Sequence, residues 1–278
     1  MPGYAAAVAV TTTRRAIRRE VGDDLAGRAR EVGDDLAVEA PLVLALGEPD
    51  GEVIATLMRT PGHDLELAAG WLVVESGVTA PADIVTLRAC RDGDLDRVHI
   101  TLAAGVADPR PRAYVTSAAC GVCSADVIDL NPLRATAPHR DGWQVRRDVL
   151  VGLPDSMRVQ QRGFERTGAV HAAALARPDG SLVAVREDVG RHNAVDKVVG
   201  RALLDGLLPA TDLLLVVSGR VSFEIVQKAV AAGAAGIVAV SAPTSLAVDL
   251  AREFDLLLLG MVRDGGCNVY AGADFVAP

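Results

Sequence analysis

Apolar residues in this chain come in short runs separated by clusters of turn-forming residues. Leu42 to Leu46 and Val53 to Met58 flank Glu48-Pro49-Asp50-Gly51, two such runs about a Pro/Gly turn, which predicts a β-hairpin. From Asp64 to Ser76 the apolar positions 65, 68, 69 and 72 share one helical face. Val98 to Leu102 alternates as a strand. Ala169 to Ala176 and Leu182 to Val185, joined by Arg177-Pro178-Asp179-Gly180, predict a second hairpin. A polar loop from Arg186 to Asn193 follows, then a helix marked by apolar positions 195, 198, 199, 202 and 203. Leu213 to Val217, Ile237 to Val240 and Leu256 to Met261 read as strands, with helices between them at about Ser222–Ala232 and Ser245–Glu253. Such alternation predicts parallel strands covered by helices.

The expected organisation is therefore an α/β protein. Residues 1–34 read as a mobile or locally helical leader, because Glu20 to Ala26 recurs at Glu31 to Ala37 in a charged stretch without aromatic residues. Residues 35–115 read as a small α+β region. Residues 116–278 read as a larger three-layer domain with a mixed, largely parallel sheet. In such a sheet, ligands bind beyond the carboxyl ends of the strands, where loops lead into helix N-termini. Those loops are Ser218-Gly219-Arg220, Ser241-Ala242-Pro243-Thr244-Ser245 and Arg263-Asp264-Gly265-Gly266. Each offers donors to an anion, although loops of this kind are polar in any case.

Composition narrows the function classes. A net charge of -8 and a pI of 5.2 argue against nucleic acid as partner, since binding it requires a basic stripe. A polyanionic ligand would need a local cluster of positive charge. Of 28 basic residues only Lys197 and Lys228 are lysines. Both fall on helices after the polar loops, where a solvated helix face accounts for them. No segment approaches the roughly 18 apolar residues of a membrane span. The apolar stretch Tyr4 to Val10 precedes its arginines, the reverse of a secretory signal. A cytoplasmic protein without a membrane partner is expected.

Four cysteines, at 90, 120, 123 and 267, are too few and too scattered for a disulfide framework. Cys120 and Cys123 form a C-x-x-C pair, which can hold zinc, cycle as a dithiol or carry a reactive thiolate. No second pair has ligand spacing, so no structural metal is expected. Small neighbours, Ser117-Ala118-Ala119 and Gly121-Val122, suit a loop that brings sulfur close to a partner. Ser124 resembles the N-cap of a helical turn, whose dipole would favour the thiolate.

Several stretches together resemble the formate dehydrogenase accessory sulfurtransferase family, FdhD/NarQ. They are Ala119-Cys120-Gly121-Val122-Cys123, Gly168 to Ala173, Ser218-Gly219-Arg220, Arg263 with Asn268-Val269-Tyr270, and above all the eleven residues from Glu187 to Lys197. The resemblance runs from about Asp35 to Tyr270. It implies a carrier that accepts sulfur from a cysteine desulfurase as a persulfide on Cys120, with Cys123 as helper. It further implies transfer of that sulfur to the molybdenum bis-guanine-dinucleotide cofactor for formate dehydrogenase. The family's cofactor-binding segment falls on Met261, Val262, Arg263, Asp264, Gly265 and Gly266. Ser218, Gly219, Arg220, Ser241, Thr244, Arg191 and His192 complete the expected site, and a homodimer is implied.

The alternative is a non-catalytic chaperone that only binds and presents the cofactor. The resemblance also implies a cytidine-deaminase-like fold for the larger domain. Deaminase chemistry is not implied: where a proton-shuttling Glu would stand in His171-Ala172-Ala173 there is alanine, and the C-x-x-C precedes His171 instead of following it. His171 itself could belong to the core or to a cavity wall.

Overall fold

The computed structural model describes residues 9–19, 29–47, 51–93, 95–109 and 142–278. Cys120 and Cys123 therefore lie outside the described residues. So does the turn expected at Ser124.

The first expected hairpin is present as β3 (Ala40–Leu46) and β4 (Glu52–Arg59). With β5 (Ile84–Asp92) and β6 (Leu95–Leu102) it makes a four-stranded sheet in the order β4-β3-β6-β5, in which β3 and β6 are parallel. Helix α1 (Asp64–Glu75) follows β4. Its buried side is wider than the apolar spacing suggests and includes Leu67, Trp71 and Val73, while Leu65 is exposed. The reason is that α1 is covered both by this sheet and by a second helix.

That helix is α4 (Arg191–Leu204), which crosses α1 backbone to backbone. A Cβ at Gly70 would lie 1.9 Å from the carbonyl oxygen of Asp196, and one at Gly200 1.8 Å from that of Glu66. Only glycine permits this approach. Two helices in contact along a buried face let one hydrophobic core run unbroken from Leu42 and Ile54 through α1 and α4 to Leu215 and Leu258.

The second sheet has six strands in the order β13-β12-β11-β10-β8-β9. They are β8 (His171–Ala176), β9 (Leu182–Asp188), β10 (Leu214–Val217), β11 (Gly236–Ala239), β12 (Leu257–Arg263) and β13 (Gly266–Ala271). Both faces are buried, as the continuous apolar runs require. Leu215 and Val217 face α4, α5 (Phe223–Ala231) and α6 (Ser245–Glu253). Leu214 and Val216 face α2 (Arg147–Arg158), whose Leu150, Leu153 and Met157 complete the opposite core. Helices on both sides give the three expected layers.

Four expectations need correction. The sheet is mixed but not largely parallel: only the β10–β11 and β11–β12 pairs are parallel, while β8, β9 and β13 join by antiparallel pairs. A parallel pair needs a long crossover, and the β8–β9 and β12–β13 links are too short for one. Strand β9 continues through Asp188, so the polar loop is only Val189 and Gly190. The supposed leader is a two-stranded ribbon, β1 (Thr11–Arg19) with β2 (Ala29–Ala37), in which Thr13 donates to Asp35 and Arg166 pairs with Asp35 at 2.8 Å. Finally, α2 and α3 (Arg162–Thr167) were not expected. Leu150, Leu153, Pro154 and Met157 have helical spacing, but a proline inside the run masks it.

Candidate functional site

The Glu187–Lys197 block divides into two roles. Asp188 is fully buried and serves as a hub. It accepts hydrogen bonds from the amides of Thr60 and Gly190 and from Asn193 Nδ2, and pairs with Lys197 Nζ at 2.7 Å. Lys197 also donates to the carbonyls of Thr60 and Glu187. Lys228 pairs with Asp196 at 2.7 Å, and both are buried. Neither lysine belongs to a solvated helix face, contrary to expectation. Each reaches inward to a carboxylate: Lys197 on α4, which α1 and the sheet cover, and Lys228 from α5 onto Asp196 of α4. Burial, opposed by Lys228, pushes the Asp196 carboxyl up to about 6.

Val189 of the block lines a cleft of about 570 Å³, within the size range of small-molecule sites. Val189, His171, Ser218, Val240, Val262, Arg263 and Asp264 line one side. His171 is thus a cavity wall, half-buried. Ser218 extends the ladder between β8 and β10: its amide donates to Ala172 O at 3.0 Å and its hydroxyl accepts from Ala172 N at 2.9 Å. Gly219 follows because the turn passes against side chains. A Cβ there would lie 3.2 Å from His171 Nδ1 and 3.6 Å from Arg191 Cδ.

Positive charge gathers at this turn. The His171 pKa is lowered first by burial and then by Arg191 and Arg220, and Arg191 is lowered first by burial and then by Arg220. Asp188 opposes the first shift and Glu224 the second, each more weakly than the arginines act. Buried polar atoms without a hydrogen-bond partner cluster beside them: Arg191 Nε, both His192 ring nitrogens and Ser222 Oγ. His192 Nδ1 lies 3.3 Å from Glu224 Oε2, though not aligned as a hydrogen bond. Burial holds its pKa down at about 4 despite Glu224, with Lys228, Arg191 and His171 adding to the depression. Unbalanced cations and orphaned donors behind a cleft are the chemistry of an anion site. Sequence reasoning passed over Ser222 and Glu224, whose only signal was proximity to the Ser218 turn.

The expected loops are not equivalent. The segment from Arg263 to Gly266 enters no helix; it is the turn of the β12–β13 hairpin, with Met261, Asp264 and Gly265 at positive φ of 54°, 53° and 71°. It cannot present helix N-terminal amides, although Arg263 and Asp264 line the cleft. Thr244 Oγ1 accepts from Ala247 N as the N-cap of α6, and Ser241 O accepts from Met261 N. Of the expected residues, Ser218, Val262, Arg263 and Asp264 line the cleft, whereas Ser241, Thr244, Met261, Gly265, Gly266, Arg191, His192, Gly219 and Arg220 are not among its lining residues. His192 is seated behind Arg191, with its ring nitrogens shielded from solvent.

The far wall was not legible beforehand. It consists of Asp155, Met157 and Arg158 of α2, then Gln161 and Phe164. Glu187 anchors it by accepting from the amides of Gly163 and Phe164 at 2.7 and 2.8 Å. Among the described residues, no group of His, Cys, Asp and Glu is placed to hold a metal ion, and no helix is long and apolar enough to cross a membrane.

The solved chain of a putative formate dehydrogenase accessory protein from Desulfotalea psychrophila shares this fold, with a TM-score of 0.75 at 22% identity over 97% of this chain and all of that one. A sulfur carrier protein FdhD from Streptomyces coelicolor is 47% identical over 250 residues, 86% of this chain and 88% of the relative. A sulfur carrier protein FdhD from Saccharolobus solfataricus is 38% identical over 85% of this chain and 89% of that relative. The model of the FdhD/NarQ family matches residues 37–277, and the chain belongs to that family.

Proposed function

We propose that this protein is a sulfur carrier that takes sulfur onto Cys120 and passes it to a nucleotide-bearing molybdenum cofactor held in the cleft, in the service of formate dehydrogenase. The observation that carries this reading is the 47% identity, over most of both chains, to a protein named as a sulfur carrier. The arginine pair Arg191 and Arg220 beside His171 supports the second half, because phosphates are what such a pair would bind. The loading step balances simply. The Cys120 thiolate attacks the outer sulfur of a donor persulfide on a cysteine desulfurase, a new S–S bond forms, the donor S–S bond breaks, and the donor cysteine leaves as thiolate. Cys123, three residues further along the sequence, would assist. The cofactor is substrate here, and Arg191, Arg220 and Arg263 would hold its phosphates while Ser218 shapes the floor.

Mass spectrometry after incubation with a cysteine desulfurase and cysteine tests the reading. A one-sulfur adduct is expected, lost in Cys120→Ser and retained in Cys123→Ser. An unmodified Cys120 in a protein that still binds pyrophosphate would leave a cofactor-presenting chaperone instead.

A further inference from the structure

A second hollow shares Val170 with the cleft and is otherwise lined by different residues. Its volume is about 230 Å³, below the range of drug-sized sites, and at the ~30 Å³ that a water occupies in the liquid it holds about eight heavy atoms. Val10, with Thr11 and Ala37 of the β1–β2 ribbon, lines one side, and the Arg166–Asp35 pair at 2.8 Å ties that ribbon to α3. Pro61 and Val185 join Val170 in an apolar wall. His63 also lines it, held at φ 58° and ψ 31°, a left-handed conformation of the kind that gathers at functional sites.

The charges around this hollow are mostly spent. Lys197 uses its donors on Thr60 O, Glu187 O and Asp188, and Arg186 is committed to Glu66 and Val185 O. Two charges are left over. The Arg162 guanidinium has no hydrogen-bond or ion-pair partner among the described residues. The Glu187 carboxylate accepts from the amides of Gly163 and Phe164 at 2.7 and 2.8 Å, which uses two of its roughly four lone-pair sites. Both residues line the hollow, and they do not pair with each other.

We propose that this hollow is a site for a free α-amino acid with a small apolar side chain, its carboxylate on Arg162, its ammonium on Glu187 and its side chain against Pro61, Val170 and Val185. The inference does not depend on what the cleft holds. Charge selects the class of ligand: one free cation and one carboxylate with acceptors to spare, held apart beside an apolar wall, complement a zwitterion. A simple anion would meet Glu187 and be repelled, and a simple amine would be repelled by Arg162. Volume selects the side chain. One the size of valine's or methionine's fills the space that the two end groups leave, whereas an aromatic ring overfills it.

Titration calorimetry of the full chain with L-valine, L-methionine, isovalerate and isobutylamine tests this. Isovalerate is valine without its ammonium, and isobutylamine is valine without its carboxylate. Valine or methionine should bind saturably, and at least about tenfold more tightly than either truncated compound, the scale of one charge-assisted contact. Arg162→Gln should weaken amino-acid binding by a similar factor while the denaturant midpoint holds, because that side chain is exposed and unpartnered. Ala37→Leu adds bulk from the ribbon side and should exclude both amino acids from a protein whose circular dichroism is unchanged. The absence of saturable binding by either amino acid at millimolar concentration would overturn the site. So would isovalerate or isobutylamine bound as tightly as valine, or undiminished amino-acid affinity in a folded Arg162→Gln or Ala37→Leu protein.

Discussion

Two charged clusters meet where His171 pairs with Asp188 across β8 and β9, and they are built on opposite plans. At the Asp188 junction every charge is matched: one buried carboxylate, one buried ammonium at 2.7 Å, and four further protein hydrogen bonds between them and Thr60, Gly190 and Asn193. At the Gly219 turn, Arg191 and Arg220 repel one another beside His171 with Glu224 only a weaker counterweight, and four buried polar atoms have no hydrogen-bond partner. Matched charges hold the first sheet's Thr60 segment to the second sheet's β9. Unmatched ones cost stability in the free protein and are relieved by an anion. The two neighbouring clusters show that charge density alone does not mark a site; imbalance does.

The largest effect should come from breaking the balanced cluster. Lys197→Ala strands Asp188 as a buried unpaired carboxylate and should cost about 3–5 kcal/mol, read as a fall in the denaturant midpoint. A loss below about 1 kcal/mol would mean that the amides of Thr60 and Gly190 satisfy Asp188 unaided, and the contrast would collapse.

Next in size is a pH effect on the boundary between the clusters. The His192 pKa stands at about 4 when folded, against an ordinary value near 6.5. Its depression leaves stability intact above pH 6.5, where the ring is neutral in both states. As pH falls from 6.5 to 4, the unfolded chain takes up the proton first and stability is lost, by at most about 3 kcal/mol. Asp196, pushed up to about 6, acts in the opposite sense as pH falls through that value, so comparison with a His192→Gln variant isolates the histidine. The variant should melt less steeply with acid over that window. Parallel pH profiles would place His192 in contact with water and outside the shielded cluster.

The smallest effect on folding should accompany the sharpest effect on binding. Arg220 is exposed and repels Arg191, so Arg220→Ala should leave the denaturant midpoint unchanged or slightly raised. Pyrophosphate affinity should fall roughly ten- to hundredfold, the scale of a charge-assisted contact. Calorimetry with pyrophosphate and a denaturant titration on the same preparation decide it, and undiminished binding would exclude Arg220 from the anion site.

The sequence by itself determined most of the elements, both hairpins about their Pro-Asp-Gly turns, and the order of strands and helices after Leu182. Local chemistry suffices there, since periodicity and turn residues report on near neighbours. The Cys120 pair, which lies outside the described residues, also stands on sequence alone. The tertiary structure decided what those signals leave open. It turned the two lysines inward: Lys197 on an α4 whose burial depends on Gly70 and Gly200 meeting across more than a hundred residues, and Lys228 from α5 onto Asp196 of α4. It made Arg263–Gly266 a hairpin turn, since the direction of β13 is set by pairing with β12 and not by its own composition. It also split the Glu187–Lys197 block: the alternation of strand faces and the turn into α4 send Asp188 to the junction and Val189 to the cleft, while Glu187 fixes a wall drawn from residues 155–164. Contacts between distant segments carry no local signature, so only the folded chain could bring that wall and the arginine cluster to face each other.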